Sequence, residues 1–450
     1  MGRSYYVEDA VEKYFTQLIQ LQKPYVTGLI IGQCSLQRDY VILAAQTPQK
    51  DNGEESEKKA GLTKLDEIDD EWVSMHASQV SRMLPGGLLV IGVFLITSPD
   101  LSKESQNALR KLIFSVEKSS VKNRLWRSDD SDVSERVAVH ICSATRKIVC
   151  RTFDVKDHKS AAKPADWKYQ SSPLSWLTIE CNMCVDVTIP LSPSSSSYQE
   201  RHKSIRTAVT NWAKELDDVV ILFNGRVKDK DGDLIEEQKK SSRSSSQTIK
   251  ASILAPSLAS RETRSTALIQ VCKSSLTIQG IVKCRAYIQS NKPKVNEALQ
   301  ALKRDILNTM SDRCEILFED IILNGPQNES EKTTCQLPQR VFVPIHGSNL
   351  MLCDYVFGDE AAEDLQSRFL EMLDQNVQYE SIDFAEEKSS RTKPDEEQEV
   401  DVSCHSDTKD QPKALTNSLK SSKLQQNIGV VMAATIALVA ILLSFQYLLE

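Results

Sequence analysis

The sequence lacks the short motifs that mark the common nucleotide and metal sites. It contains no GxxxxGK[ST] phosphate loop, no GxGxxG dinucleotide fingerprint and no HExxH zinc helix, and only six of its 450 residues are histidines. Basic residues are not in excess, since 55 Lys and Arg face 62 Asp and Glu and the net charge is −7. We therefore expect no general affinity for nucleic acid, and we predict no cofactor and no metal.

An apolar leader is also missing, and so is a regular set of paired cysteines. Residues Met1–Tyr6 contain no hydrophobic run of the kind found in secretory signals. The 11 cysteines are an odd number and are scattered from Cys34 to Cys404, mostly in apolar, strand-like runs. Secreted disulfide scaffolds are short and use even counts. We therefore expect reduced, buried thiols and a cytosolic location for the bulk of the chain.

Charge is absent from one long stretch, at the C-terminus. Leu424–Leu449 contains no Asp, Glu, Lys or Arg over 26 residues, and about 20 apolar residues are enough to cross a bilayer as a helix. The stretch predicts a single-pass tail anchor with the lipid bilayer as a partner. The endoplasmic reticulum is the expected membrane, and the outer mitochondrial membrane is the alternative.

The predicted anchor has an orientation and one distinctive face. Basic residues precede it and Glu450 follows it, so the positive-inside rule places the N-terminal bulk in the cytosol. A face of small residues would permit close helix approach, or it reflects only the ordinary frequency of Gly and Ala in such helices. The residues assigned to the anchor are Ile428, Gly429, Ala433, Ala437, Leu443, Tyr447 and Leu449, and those assigned to its cytosolic flank are Lys413, Lys420 and Lys423.

A second apolar run, Met83–Thr97, has two possible interpretations. Pro85-Gly86-Gly87 interrupts any helix at its start. The apolar core Leu88–Ile96 is only nine residues long, which suits a strand and is too short for a membrane-spanning helix. We predict a buried strand, and we keep a second membrane segment as the less favoured alternative.

Hydrophobic periodicity elsewhere alternates between helix and strand spacing, which predicts an α/β fold with mixed sheets and flanking helices. One of the predicted helices is capped by Ser102. The predicted organisation is an α/β domain over 1–160, an α/β continuation over 161–226, a disordered Ser- and Lys-rich loop over 227–264, a second α/β domain over 265–385, a flexible tether over 386–423 and the membrane segment over 424–450.

Cysteine and histidine pairs are the candidates for chemistry, and each pair is incomplete. His140 and Cys142 would share one strand face, but a catalytic pair also needs an orienting group and an activated thiolate. Cys181 and Cys184 form a CxxC without the two further ligands that zinc requires. We predict core packing for these residues and no catalytic residue. The alternative is a thiol hydrolase that faces the cytosol.

The N-terminal pattern resembles the Jab/MPN layout. The run Val26–Gly32, then a strand, a helix and the run Gly87–Phe94, carries the resemblance. In metalloprotease members the corresponding strand ends in a His-x-His zinc pair before a proline, whereas this chain reads Leu95-Ile96-Thr97-Ser98-Pro99. The resemblance implies a catalytically dead domain over residues 1–160, because no imidazole is present to bind zinc.

A more specific resemblance covers nearly the whole chain, and it is to the odorant-response-abnormal-four family. It implies a membrane-anchored, non-catalytic adaptor that helps a subset of G-protein-coupled receptors leave the endoplasmic reticulum. It also implies docking of the cysteine protease of the ubiquitin-fold-modifier pathway. The segments that carry it are Val80–Val90, Pro164–Gln170, Val282–Ile288, Lys303–Asn308, Met351–Tyr355 and Gln425–Gly429.

Overall fold

In a computed structural model, the described residues form three β-sheets with flanking helices. The residues that the structure describes lie within one compact unit that extends from Met1 to Arg391. They are residues 2–35, 38–50, 65, 68–122, 125, 133–171, 174, 176–191, 198–216, 219–235, 248–254, 274–289, 292–324, 333–334, 337–358 and 360–385.

The first sheet is mixed and has eight strands. Its strands are β1 (Ser4–Glu8), β2 (Tyr25–Gln33), β3 (Asp39–Gln46), β4 (Leu89–Thr97), β5 (Glu135–Cys142), β6 (Ile148–Asp154), β7 (Lys163–Pro164) and β8 (Asp166–Gln170). Their order in the sheet is β7-β6-β5-β4-β2-β3-β1-β8. The helices in this part are α1 (Asp9–Gln20), α2 (Asp70–Arg82) and α3 (Ser105–Lys122). The strand, strand, helix, strand order that the Jab/MPN resemblance implies is present as β2, β3, α2 and β4.

Strand β4 decides between the two interpretations of the run Met83–Thr97. It lies near the middle of the sheet, antiparallel to β2 and parallel to β5. Phe94 and Leu95 point to opposite faces and both are fully buried, because helices cover each face of the sheet. A strand buried on both faces is apolar throughout. The strand prediction is confirmed, and the alternative of a second membrane segment is wrong.

The two faces of this sheet carry separate cores. Helix α1 covers one face, where Phe15 contacts Phe94 edge to face at 5.0 Å between ring centroids. Helices α2 and α3 cover the other face, and the Asp69 side chain caps α2 by accepting from the Trp72 amide at 2.9 Å. The predicted cap of the next helix is wrong. Ser102 ends a 3-10 turn over Pro99–Leu101, since Pro99 starts that turn, and α3 begins three residues later.

The remaining strands form a five-stranded and a three-stranded sheet. The elements are β9 (Leu177–Leu191), α4 (Tyr198–Glu215), β10 (Val220–Phe223), β11 (Thr248–Leu254), β12 (Ser274–Ile288), α5 (Val295–Asn324), β13 (Thr333–Thr334), β14 (Gln339–Pro344), β15 (Met351–Val356), α6 (Ala362–Leu373) and β16 (Asp383–Phe384). The sheet orders are β10-β11-β9-β12-β13 and β15-β14-β16. The long antiparallel pair of β9 and β12 forms the centre of the larger sheet, and α4 and α5 pack against this sheet.

Strand β11 lies inside the segment 227–264, which the sequence predicts to be a disordered loop. Ile249 and Ala251 are buried while Lys250 between them is exposed, as a strand with one covered face requires. The strand pairs with both β10 and β9. The prediction is therefore wrong for residues 248–254. The segments on either side are rich in serine, so the short alternation of apolar and polar residues in this strand was not recognised.

The prediction of a C-terminal transmembrane helix in the fold class is wrong for the described residues. Within the described ranges, no helix is both long and apolar enough to cross a bilayer. The longest, α5, has 30 residues but carries charged side chains such as Asp305 and Arg313. The segment 424–450, with its anchor residues from Ile428 to Leu449 and its flank from Lys413 to Lys423, lies outside the described residues. The fold is a mixed α/β fold.

Candidate functional site at the junction of the sheets

A buried ion pair joins α5 to β14. Arg340 directs Nη1 and Nη2 at the two carboxylate oxygens of Asp305, each at 2.8 Å, and both residues are 1% exposed. The geometry is bidentate, which is the strongest form of such a pair. Burial by itself would lower the pKa of Arg340, but the facing carboxylate outweighs burial and the pKa lies well above its ordinary value. The guanidinium is therefore charged at any physiological pH.

The Asp305 carboxylate also accepts from two backbone amides, one in the turn before β4 and one in β12. Its Oδ1 accepts from the Gly86 amide at 2.9 Å, and its Oδ2 accepts from the Arg285 amide at 2.8 Å. Each oxygen thus accepts two hydrogen bonds, which is close to the full capacity of a carboxylate. Because its four bonds come from three different parts of the chain, this one side chain connects α5, β12, β14 and the turn that precedes β4.

The turn Pro85–Gly87 inserts against the edge of β12. The Gly86 amide donates to the Arg285 carbonyl at 3.1 Å, and the Tyr287 amide donates to the Gly86 carbonyl at 2.8 Å. Gln33 of β2 closes the contact, because its Nε2 donates to the carbonyls of Gly87 and Tyr287 at 2.9 and 2.8 Å. The eight-stranded and five-stranded sheets are therefore joined by buried hydrogen bonds.

Aromatic and cationic groups extend this junction to the three-stranded sheet. The Arg285 guanidinium lies 4.3 Å from the ring centroid of Phe342, and the Arg340 guanidinium lies 4.9 Å from the same centroid. Arg285 also donates from Nη2 to Glu180 at 2.7 Å. Phe342 therefore takes part in two cation–π contacts at short range, and these contacts join the three-stranded sheet to the five-stranded sheet.

Four of the six segments that carry the family resemblance converge on this junction. Val80–Val90 supplies Gly86, Val282–Ile288 supplies Arg285, Lys303–Asn308 supplies Asp305 and Met351–Tyr355 supplies Cys353. Sequence reasoning did not select Asp305 or Arg340. The available signal was a charged residue inside an apolar helix face and another inside an apolar strand, because such residues are buried only when paired.

The thiols around the junction are unreactive because they are buried. Cys353 Sγ lies 3.2 Å from Arg340 Nη2, yet burial outweighs the cation and raises the pKa of Cys353 to about 11. Burial also raises the pKa of Cys181 to about 12 and that of Cys284 well above its ordinary value. Thiolate is the nucleophilic form of cysteine, so these three side chains are poor nucleophiles at neutral pH.

Cys142 differs from these thiols. Hydrogen bonds with Thr145 lower the pKa of Cys142, which lies at the end of β5 opposite Thr97. His140 is on the same strand, but its Nε2 bonds to the Thr97 hydroxyl at 2.9 Å and burial lowers the pKa of the imidazole. His140 therefore has the Thr97 hydroxyl, and not the Cys142 thiol, as its hydrogen-bond partner.

The CxxC of β9 is divided between the two faces of its sheet. Cys181 is buried and Cys184 is exposed, because residues three apart in a strand point to opposite sides. The two thiols therefore cannot bind one metal ion. Among the residues that the structure describes, no three His, Cys, Asp or Glu side chains are placed to hold a metal. The Cys404-His405 pair lies outside these residues.

These thiol environments predict an order of alkylation. In the native protein at pH 7.5, iodoacetamide should modify exposed Cys184 fastest. Cys142 is 9% exposed but has a lowered pKa, so it should react next, and fully buried Cys284 and Cys353, which hold their protons, should react slowest. Mass spectrometry of tryptic peptides at several reaction times measures the order. In urea, all four should react at similar rates. Fast native labelling of Cys353 would contradict the junction geometry.

Comparison with known proteins gives a consistent result along the chain. The family model described as "ODR4-like: Odorant response abnormal 4-like" matches residues 28–384. "Protein odr-4 homolog" of Xenopus tropicalis is 62% identical over 453 residues, which cover 100% of both chains. The Homo sapiens "Protein odr-4 homolog" is 50% identical over 99% of each chain. "Odorant response abnormal protein 4" of Caenorhabditis elegans is 21% identical over 72% of this chain and 67% of its own length.

A solved structure was also matched. It is described as "Crystal structure of UfSP from C.elegans", with a TM-score of 0.43 and 9% identity. The match covers 83% of this chain and 57% of that chain.

Proposed function

Since the chain belongs to the odorant response abnormal 4-like family, we propose that it is a non-catalytic adaptor that promotes export of a subset of G-protein-coupled receptors from the endoplasmic reticulum. We propose further that it docks the cysteine protease of the ubiquitin-fold-modifier pathway at that organelle. Its described sheets face the cytosol in this proposal, as the reduced cysteines suggest.

The observation that supports an adaptor is that the polar side chains at the junction bond to one another and to the backbone. Asp305 and Arg340 satisfy one another and nearby backbone groups, and Gln33 does the same for the turn before β4. Catalytic groups need access to substrate and a tuned pKa, whereas Asp305 and Arg340 are buried and bonded to one another and to the backbone. Bidentate and backbone contacts of this kind suit a rigid scaffold that presents binding surfaces.

Receptor export is the test of the adaptor role. Cells that lack the protein should show fewer client receptors at the surface, with the missing receptors retained in the endoplasmic reticulum. Re-expression of the full chain should restore surface receptors, measured by surface biotinylation. The protease should co-purify with the full chain. Normal receptor export in the absence of the protein would contradict the export proposal, and failure of co-purification would contradict the docking proposal separately.

The second candidate is a thiol hydrolase, and the lowered pKa of Cys142 is the observation that favours it. A Cys142→Ser variant separates the two candidates. An adaptor should restore receptor export fully with this variant, because its hydroxyl replaces the thiol with little change in volume. Loss of export at normal protein abundance, together with stoichiometric labelling of Cys142 by an electrophilic probe, would favour the hydrolase.

A further inference from the structure

An exposed tyrosine lies in a surface turn that follows α6. Tyr379 begins a 3-10 turn that ends at Ser381, and it is 57% exposed. Among the tyrosines whose burial the structure describes, no other is exposed. Tyr5, Tyr287 and Tyr355 are buried, and the rest are half-buried. Of these tyrosines, Tyr379 is therefore the one that an enzyme can reach most easily on the folded chain.

Hydrogen bonds within the turn hold its shape. The Ser381 amide and hydroxyl donate to the Gln378 carbonyl at 3.0 and 2.6 Å, and the Ile382 amide donates to the Tyr379 carbonyl at 3.1 Å. Buried Val377 fixes one end of the turn, and strand β16 pairs with β14 at the other. Because these three bonds are local, the turn can extend into the cleft of an enzyme while the sheets keep their pairing.

The charged residues near this tyrosine in the sequence are acidic. Glu380 follows the tyrosine directly and is exposed, and Glu371 and Asp374 are exposed at the end of α6. No Lys or Arg occurs between Arg368 and Lys388. The turn therefore presents a phenol beside negative charge, which complements an enzyme cleft or a binding pocket that is lined by cations.

We propose that Tyr379 is phosphorylated by a protein tyrosine kinase and that the phosphorylated turn docks a partner through an arginine-lined phosphotyrosine pocket. The phenol oxygen forms a bond to the γ-phosphorus of ATP, the bond from that phosphorus to the bridging oxygen breaks, ADP leaves, and a base of the kinase takes the phenol proton. The product carries about two negative charges at pH 7. Arginine binds such a group through paired hydrogen bonds. This proposal does not depend on receptor export.

Kinase treatment of the folded full-length protein tests the modification. A tyrosine kinase that accepts acidic substrates, supplied with MgATP, should place phosphate in the tryptic peptide 369–388, in which Tyr379 is the only tyrosine. Tyr379→Phe should lose most of the phosphate that the whole protein incorporates. The matched variant Tyr6→Phe, which changes a half-buried tyrosine of β1, should keep it. Equal incorporation by wild type and Tyr379→Phe, or none by wild type, would overturn the proposal.

Two further measurements test docking and occurrence in cells. An immobilised domain of the SH2 class should capture the phosphorylated wild type, but neither the untreated protein nor kinase-treated Tyr379→Phe. A domain that lacks its pocket arginine should capture none of them. No capture of the phosphorylated wild type would reject the docking role. In cells treated with a tyrosine phosphatase inhibitor, peptide 369–388 of the full chain should carry phosphate, and detection of this peptide only without phosphate would overturn the modification.

Discussion

Replacement of Arg340 with methionine is expected to lower the free energy of unfolding by about 3–5 kcal/mol, because removal of one partner leaves a buried charge uncompensated. Asp305 would keep its two backbone donors but would lose the bidentate guanidinium. Urea denaturation of the full chain, followed by tryptophan fluorescence, measures the loss as a lower midpoint at an unchanged slope.

A partly exposed arginine gives the control for this experiment. Arg368 is 33% exposed and bonds the side chains of Asp354, at 2.8 Å, and Glu360. Because solvent reaches and screens this cluster, Arg368→Met should cost clearly less than Arg340→Met. Similar losses for the two variants would contradict the assignment of Arg340 to the structural junction.

A double-mutant cycle tests whether Asp305 and Arg340 act as one unit. Arg340→Met combined with Asp305→Asn removes both charges, so its cost should be smaller than the sum of the two single costs. Recovery should be incomplete, because an amide nitrogen at position 305 cannot accept the backbone N–H groups that now reach the carboxylate. Strict additivity would show that the two side chains are not coupled.

Gly87→Ala is expected to destabilise the protein by about 3 kcal/mol or more, from two separate causes. Gly87 has a φ of +85°, where an L side chain is strained. A Cβ atom there would also lie 2.0 Å from the Tyr287 carbonyl oxygen, so the turn would have to move away from β12. Thermal unfolding of the variant measures the loss.

Gly225 separates backbone strain from the steric clash. Its φ is +75°, close to that of Gly87, but nothing lies within 4 Å of an added Cβ. Gly225→Ala should therefore cost only the strain of about 1–2 kcal/mol. The difference between the two variants reports the close approach of the two sheets, and equal losses would show that the turn does not press against β12.

Local pattern predicted most of the individual elements. The spacing of apolar residues over 7–19 places α1, and the short uninterrupted apolar run after Pro85-Gly86-Gly87 places β4. The Asn224-Gly225 turn after β10 also follows from its residues, since both adopt positive φ. These features depend on near neighbours in the chain, so their signals are present in a short window of sequence.

Short strands and buried polar contacts were missed for one physical reason. Strands β1 and β8 pair with each other through Ser4 and Asp166, and neither has an apolar run long enough to predict a strand alone. The Gly86 amide and the Asp305 carboxylate are 219 residues apart. Each of these groups is stabilised by a partner that only the folded chain brings near. The residues next to it in the sequence do not identify that partner.

The sequence by itself determined the α/β class, the order of the main helices and strands, and the family to which the chain belongs, because periodicity and local motifs encode these directly. The tertiary structure decided which charges are buried, which thiols are reactive and how the three sheets are joined. Burial, pKa and hydrogen bonding depend on distances between residues far apart in the chain, and those distances exist only once the sheets have assembled around Asp305.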